Sequence, residues 1–298
     1  MSDNLRSMLL MVFAMGVFVL NDTLTKSVSA NLPTGQIIAI RGAISCALML
    51  PLVHMAVGLG RLAPHYSKPL LVRNLAEVAA VILYLSALFR LPIANVTAIL
   101  QLLPLTMTAA AAIFLAERVG WRRWTAAAVG LVGVLFIVRP GTADFSWWYL
   151  AALISLIFIT ARDLSTRYIA PETPTVLITF LTAVFVTGAG LALGAATETW
   201  LMPSWLDLLM LTSAAVLVLT GYYTLIEAWR GGEVSATAPF RYSVVLWAIL
   251  FGYVFLGEVP DLWTLVGSAI VVAAGLYTLW REQRIKAVRA TGSAAGKA

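Results

Sequence analysis

Charged residues are scarce in this chain: only 11% of its 298 residues are Asp, Glu, Lys or Arg. A water-soluble domain carries about 25% charged residues, because its surface must face water. With 61% hydrophobic residues and a mean hydropathy of +0.91, this chain has too few charges to cover a soluble globule. The composition therefore excludes a water-soluble domain and indicates a protein that lies in a lipid bilayer.

Cysteine and histidine are nearly absent, with one Cys (Cys46) and two His. One thiol cannot close an internal disulfide, and no Cys/His cluster is available for a metal. The phosphate-binding pattern Gly-x-x-x-x-Gly-Lys-Ser/Thr is also missing, since the segment 292–297 has the wrong spacing. Neither His-Glu-x-x-His nor Gly-x-Ser-x-Gly occurs. We therefore predict no metal, no cofactor, no use of ATP and no enzymatic activity.

Ten apolar segments run along the chain, each of roughly 17–25 residues and long enough to cross the hydrocarbon core of a bilayer. They must be helices, because lipid offers no partner for a backbone N–H group. The connections between them are too short for a soluble domain. The predicted spans are residues 6–25, 36–57, 71–90, 93–115, 122–138, 146–166, 175–194, 206–229, 233–256 and 262–280.

Lys and Arg are unevenly distributed between the connections. If the N-terminus is cytoplasmic, fifteen of them lie on the cytoplasmic side, whereas only Lys26, Arg90 and Arg139 lie on the other. The positive-inside rule then predicts a multi-pass inner-membrane protein with both termini in the cytoplasm. This distribution also accounts for the net charge of +6 without a nucleic-acid partner.

The two halves of the chain match at an offset of 141 residues. Residues 22–26 align with 163–167, Pro33-Thr34 with Pro174-Thr175, and Leu115-Ala116-Glu117 with Leu256-Gly257-Glu258. Each half holds five spans, and an odd number inverts the second half relative to the first. We therefore predict an all-α membrane protein of two inverted five-helix repeats, with a central site between them. The first repeat is 1–140, the second is 141–282, and 283–298 is a basic, disordered cytoplasmic tail.

The matching motifs resemble those of the drug/metabolite transporter superfamily, in a form with two EamA-type domains. The residues that carry the resemblance are Arg41, Pro104-Leu105, Leu115-Ala116-Glu117-Arg118 and Gly130 to Val134 in the first half, and Ala228, Ser235 to Pro239, Leu256-Gly257-Glu258 and Gly267 in the second. Within the family the chain resembles bacterial exporters of amino acids, including aromatic ones. The second half departs from the pattern, because Arg241 stands where such repeats are usually apolar.

The resemblance implies a secondary transporter that works by alternating access, as a single chain in the bilayer, around a cavity between helices 1, 3, 4, 6, 8 and 9. It implies a small-molecule substrate, an amino acid or related metabolite moved outward. A drug or cationic-metabolite exporter is the alternative within transport, and an intramembrane enzyme or a receptor is the alternative of another class.

Arg241 is the strongest candidate for substrate binding. An ionisable group about 12 Å inside a membrane span is energetically costly, so it is expected to have a function or a partner. One reading is that it holds a substrate carboxylate, and the other is a fixed ion pair with Glu227 or Glu77. Asp22 and Arg41 lie near the outer ends of adjacent helices, where we expect a gate or structural ion pair.

Polar and aromatic side chains on the third, fourth, eighth and ninth helices are the further candidates for the cavity lining. They are Tyr84, Asn95, Gln101, Tyr222, Tyr223 and Tyr242. The alternative for the aromatic residues is helix packing or an interfacial belt.

Local spacing also predicts that Arg73 pairs with Glu77 and that Arg162-Asp163 forms a solvated turn. Gly190 and Gly194 are expected to form either a dimer face or a contact within the bundle.

Overall fold

A computed structural model describes residues 3–56, 67–114, 121–231 and 234–295, and every regular element in these ranges is helical. The helices are α1 Asp3–Val28, α2 Thr34–Ala56, α3 Lys68–Leu88, α4 Ile93–Leu100, α5 Leu103–Phe114, α6 Trp121–Val138, α7 Trp148–Thr166, α8 Thr175–Thr197, α9 Trp205–Gly231, α10 Val234–Thr237, α11 Ser243–Leu256 and α12 Leu262–Ala295.

The helices account for all ten predicted spans. Nine stretches in the described ranges are long and apolar enough to cross a membrane, and Trp124–Val138 in α6 is a shorter tenth. Many large hydrophobic side chains are exposed on the outside of the bundle, where lipid replaces water as the solvent. The predicted fold class is therefore confirmed.

Two of the spans are broken where the sequence predicts continuous helices. The fourth is split into α4 and α5 by a turn at Gln101-Leu102, and the ninth contains a 3-10 segment at Ala238–Tyr242 between α10 and α11. Pro104 and Pro239 explain the breaks, because proline lacks an N–H donor and its ring crowds the preceding turn. Gln101 and Tyr242 are related by the offset of 141, so the two repeats are interrupted at equivalent positions.

The helices pair as a two-fold relation between the repeats requires. The most extensive interfaces are α1 with α9, α3 with α7, α2 with α8, and α6 with α12. If the two repeats are exchanged, the α1–α9 pair becomes the α3–α7 pair, whereas the α2–α8 and α6–α12 pairs are each converted into themselves. In the α2–α8 interface Cys46 lies 3.7 Å from Thr187, its own equivalent at an offset of 141.

Glycines allow the backbones of α2 and α8 to meet. A Cβ atom on Gly190 would lie 2.6 Å from the backbone nitrogen of Ala39, and one on Gly35 would lie 2.7 Å from that of Gly194. Gly190 and Gly194 therefore pack within the bundle, which decides between the two alternatives that the sequence leaves open.

Helix α12 extends past the last predicted span, whereas the disorder expected from residue 283 stays a prediction. Helix α12 leaves the apolar span and continues without interruption to Ala295. Residues 282–290 contain Glu, Gln, Lys, Arg and Ala, all of which favour helix once one has been started.

Candidate substrate cavity

A large cavity lies between the two repeats in the middle of the bundle. It holds about 1310 Å³ of space, including the part that is open to the outside. Its walls come from the six predicted spans and also from α2, through Arg41. The charged and polar lining residues are Asn21, Asp22, Arg41, Glu77, Tyr84, Thr97, Gln101, Arg162, Tyr222 and Arg241.

Glu77 and Arg162 form an ion pair across the cavity wall, with 2.7 Å between Glu77 Oε2 and Arg162 Nη1. Arg162 also bonds to Asp163 Oδ1 at 2.8 Å and is only 22% exposed, so it is not part of a solvated turn. Arg73 instead donates to Thr166 at 3.1 Å and to Thr182 at 2.5 Å. The predicted Arg73–Glu77 pair is wrong, because α3 packs along α7 and Arg162 of α7 is the ion-pair partner of the Glu77 carboxylate.

Asp22 and Arg41 are both in the cavity wall but do not form the expected direct ion pair. Tyr84 donates its hydroxyl proton to Asp22 Oδ2 at 2.5 Å, and Asn21 donates to Oδ1 at 2.9 Å. Arg41 donates to Asn21 Oδ1 and Thr25 Oγ1, each at 3.4 Å. Asn21 therefore lies between the acid and the guanidinium, while the two groups remain close enough to attract each other.

Arg241 lies in the 3-10 segment and is exposed into the cavity. Among the described residues no acidic side chain reaches ion-pair distance, so the proposed fixed pairs with Glu227 and Glu77 are not formed. Arg241 also lines a smaller adjoining cavity of about 380 Å³, together with Gln101 and Tyr242. The buried Tyr242 hydroxyl faces the backbone of Gly275 and has no hydrogen-bond partner in the described part of the chain.

Two of the predicted lining residues lie outside both cavities. Asn95 is buried and donates to Tyr149 Oη at 2.6 Å while it accepts from Thr264 Oγ1 at 3.1 Å, so it joins three spans. Tyr223 is 67% exposed on the outside of α9. Its neighbour Tyr222 does line the cavity, with its ring 5.2 Å from that of Phe18 in an edge-to-face contact. Successive residues of a helix point about 100° apart, which explains why Tyr222 faces the cavity and Tyr223 does not.

An ion pair joins the two repeats at the end of the bundle that carries Lys26, called the Lys26 end below. Lys26 forms an ion pair with Glu258, and its ammonium also donates to the carbonyl of Leu91 at 2.5 Å. Glu258 accepts from the backbone N–H of Ile93 at 2.7 Å, at the start of α4. A carboxylate is stabilised there by the helix dipole.

Buried apolar side chains, called the apolar layer below, pack around the start of α4, where Glu258 binds. They are Leu85, Leu88, Ile93 and Val96, each at most 2% exposed, and they belong to one cluster with Val19 of the cavity wall. The position of Glu258 at the end of its span predicts that it accepts a hydrogen bond from the N-terminus of the next helix, whereas in the structure it accepts from the start of α4. The sequence gives no sign of the Lys26 partner, which lies 232 residues away. The equivalent Glu117 lies outside the described residues.

The family model described as the EamA-like transporter family matches the chain twice, over residues 5–139 and 146–280. The chain belongs to the EamA-like transporter family. The two matches cover nearly the whole chain and place one EamA repeat on each side of the cavity. The protein is accordingly a membrane transporter of this family, made of two repeated halves.

Curated relatives within the family carry several different names. An S-adenosylmethionine uptake transporter of Rickettsia felis is 26% identical and covers 89% of each chain. A riboflavin transporter of Rhizobium johnstonii is 28% identical over 76% of this chain and 75% of its own. A pseudopaline exporter of Pseudomonas aeruginosa is 27% identical over 91% of this chain and 95% of its own.

A solved crystal structure superimposes with a TM-score of 0.65 and 19% identity, covering 94% of this chain and 98% of the other. At this identity the likeness concerns the fold, which it supports over almost the full length.

Proposed function

We propose that this EamA protein is a secondary transporter that moves an amino acid or a related small metabolite outward across the inner membrane by alternating access. The observation that carries the proposal is the cavity between the repeats, which is lined by charged side chains from both halves, while the Lys26–Glu258 pair joins the two repeats at the Lys26 end. Inverted repeats supply two similar states, each open to one side.

The charges of the lining favour a solute that carries a carboxylate. Three guanidinium groups, from Arg41, Arg162 and Arg241, face two carboxylates, from Asp22 and Glu77. Since Glu77 already holds Arg162, Arg41 and Arg241 face the single carboxylate of Asp22, which leaves an excess of one positive charge. An exporter of purely cationic drugs would have to overcome this excess, so we place that alternative second.

Arg241 is in a position to meet an anionic group early in the cycle. It is exposed, it lines both cavities, and it lies on the side of the cavity away from the Lys26 end. We propose that it attracts the solute carboxylate, and that Gln101 and Tyr242 contact the solute from the adjoining cavity. Opening of the Lys26 end would then release the solute on the other side of the membrane.

The test is counterflow in sealed proteoliposomes that contain the purified protein. Vesicles loaded with each of the protein amino acids, or with riboflavin, are diluted into the same labelled solute, and accumulation is measured. We expect accumulation of at least one amino acid, without ATP, and none in protein-free vesicles. Direction is tested in inverted membrane vesicles, where an exporter accumulates solute. Absence of counterflow for every solute would contradict the proposal, and activity that persists in detergent would favour an enzyme.

A further inference from the structure

Asp22 and Arg41 are an acid and a guanidinium that share a cavity without being paired to each other. Buried opposite charges normally neutralise each other directly, because each is costly when left alone in a membrane. Here the Asn21 amide occupies the space between them, donating to Asp22 at 2.9 Å and accepting from Arg41 at 3.4 Å. The arrangement holds both charges on the wall and keeps them apart.

The hydrogen-bonding capacity left on the two groups differs in kind. Asp22 accepts one bond from Tyr84 and one from Asn21, which leaves further lone pairs on both oxygens. The contacts of Arg41 are both long, at 3.4 Å, and both come from one nitrogen, Nη1. The guanidinium therefore retains donors for a bidentate contact with a carboxylate. The wall offers acceptors and donors side by side.

We propose that Asp22, Tyr84 and Arg41 bind the zwitterionic α-amino-carboxylate group of the transported solute, with its ammonium on Asp22 and its carboxylate on Arg41. The inference deepens the proposed function and depends on it. In such a group a single carbon atom separates the two charges, so one solute can satisfy both side chains at once. The rest of the solute then faces Phe18, Leu100 and Tyr222, which line the remainder of the same cavity.

The other charged groups of the cavity are less suited to this role. Glu77 and Arg162 are paired with each other at 2.7 Å, and binding there would require breaking that pair. Arg241 has no acidic neighbour within ion-pair distance among the described residues, so it can attract a carboxylate but offers nothing for an adjacent ammonium. Asp22 and Arg41 are the combination that recognises both charges of the group.

The experiment uses competition in the counterflow assay with chemically matched analogues. For each labelled amino acid that wild-type protein accumulates, the competitors are the unlabelled amino acid, its carboxamide and its N-acetyl derivative. We expect the amide and the N-acetyl compound to compete about ten- to hundredfold less well, since each loses a charge-assisted contact. Asp22→Asn and Arg41→Gln should raise KM by a similar factor, with partial recovery in Arg41→Lys.

Selectivity distinguishes binding from a structural role. In Asp22→Asn the preference for the free amine over its N-acetyl derivative should be lost, and in Arg41→Gln the preference for the carboxylate over the amide. Asp144→Asn and Arg122→Gln, both on exposed side chains, are the matched controls and should keep both preferences. If the analogues compete equally in wild type, or the variants keep the preferences, the head-group site is refuted while transport stands. If only riboflavin accumulates, transport stands without this site. If no solute accumulates, both proposals fail.

Discussion

At the scale of single residues, the bonding partners of a polar side chain decide what it is free to do. Gln101 and Asn95 lie on the same span, and both are buried amides. Asn95 uses its amide on Tyr149 and Thr264, whereas Gln101 donates only to the carbonyl of Thr97, at 3.2 Å, and lines both cavities. The first is occupied in joining helices, and the second is available to a solute.

We predict that Arg241→Leu lowers transport more than tenfold while expression and folding are preserved. The guanidinium is exposed and holds no described acidic partner, so its removal should cost little stability but remove the attraction for a carboxylate. Counterflow rate and thermal unfolding in detergent measure the two effects. Arg122→Leu is the control for loss of an exposed positive charge. Normal transport by Arg241→Leu would remove Arg241 from the mechanism.

Asn95→Ala should have the opposite effect to Arg241→Leu, lowering stability while it leaves the affinity for the solute unchanged. It removes hydrogen bonds that connect α4 to Tyr149 in α7 and Thr264 in α12, which are worth about 1–2 kcal/mol in total within a membrane protein. We expect a lower unfolding temperature and an unchanged KM for the transported solute. A changed KM with unchanged stability would show instead that Asn95 contacts the solute.

At the scale of helices, the interface between α2 and α8 depends on backbone contact. We predict that Gly190→Ala destabilises the protein by about 1–3 kcal/mol, because the new methyl group meets backbone atoms that cannot move aside. Gly188 lies on the same helix, and a Cβ atom there would meet nothing within 4 Å. Gly188→Ala is therefore the matched control, and it should be neutral or slightly stabilising. Thermal unfolding of the two variants measures the difference, and equal stabilities would contradict the described interface.

At the scale of the whole molecule, the Lys26–Glu258 pair joins the first repeat to the second at the Lys26 end. We predict that Lys26→Gln shifts the protein toward the state that is open at the Lys26 end. In a Cys46→Ser background, Leu88→Cys places the reporting thiol in the buried apolar layer. An impermeant thiol reagent added at the Lys26 end should label it roughly fivefold faster or more in the Lys26→Gln variant.

Two variants control this measurement. Asp144→Asn removes the exposed partner of a local ion pair with Arg139 at the same end, and should leave the labelling rate unchanged. The exchanged pair Lys26→Glu with Glu258→Lys should restore slow labelling if attraction between the two side chains closes this end. Equal labelling in all variants would show that the apolar layer alone is sufficient.

Orientation in the membrane is a further prediction for the whole molecule. The excess of Lys and Arg at the end that carries both termini predicts that this end is cytoplasmic and that the Lys26 end faces outward. Protease-cleavable tags placed before residue 1 and after residue 298 should both be protected in intact spheroplasts and cleaved after lysis. Tags on different sides would contradict ten spans in two inverted repeats.

The sequence by itself determined the properties that composition and local spacing control. Apolar segments long enough to cross a bilayer predict the spans, because lipid forces the backbone of each to bond within itself. The recurring motifs at an offset of 141 predict the duplication, and five spans in each half imply the inversion. The breaks near Pro104 and Pro239 were not predicted, and only the structure showed that they fall at the equivalent residues Gln101 and Tyr242 beside the cavity.

Only the tertiary structure decided which polar groups are free. Glu77 bonds to Arg162 rather than to Arg73, Asn21 separates Asp22 from Arg41, and Lys26 meets Glu258 from the far end of the chain. Helical periodicity specifies which residues share a face of one helix, but a partner on another helix depends on which helices pack together and in what register. In a bundle whose interfaces mostly join one repeat to the other, that information is not present in any local segment of the sequence.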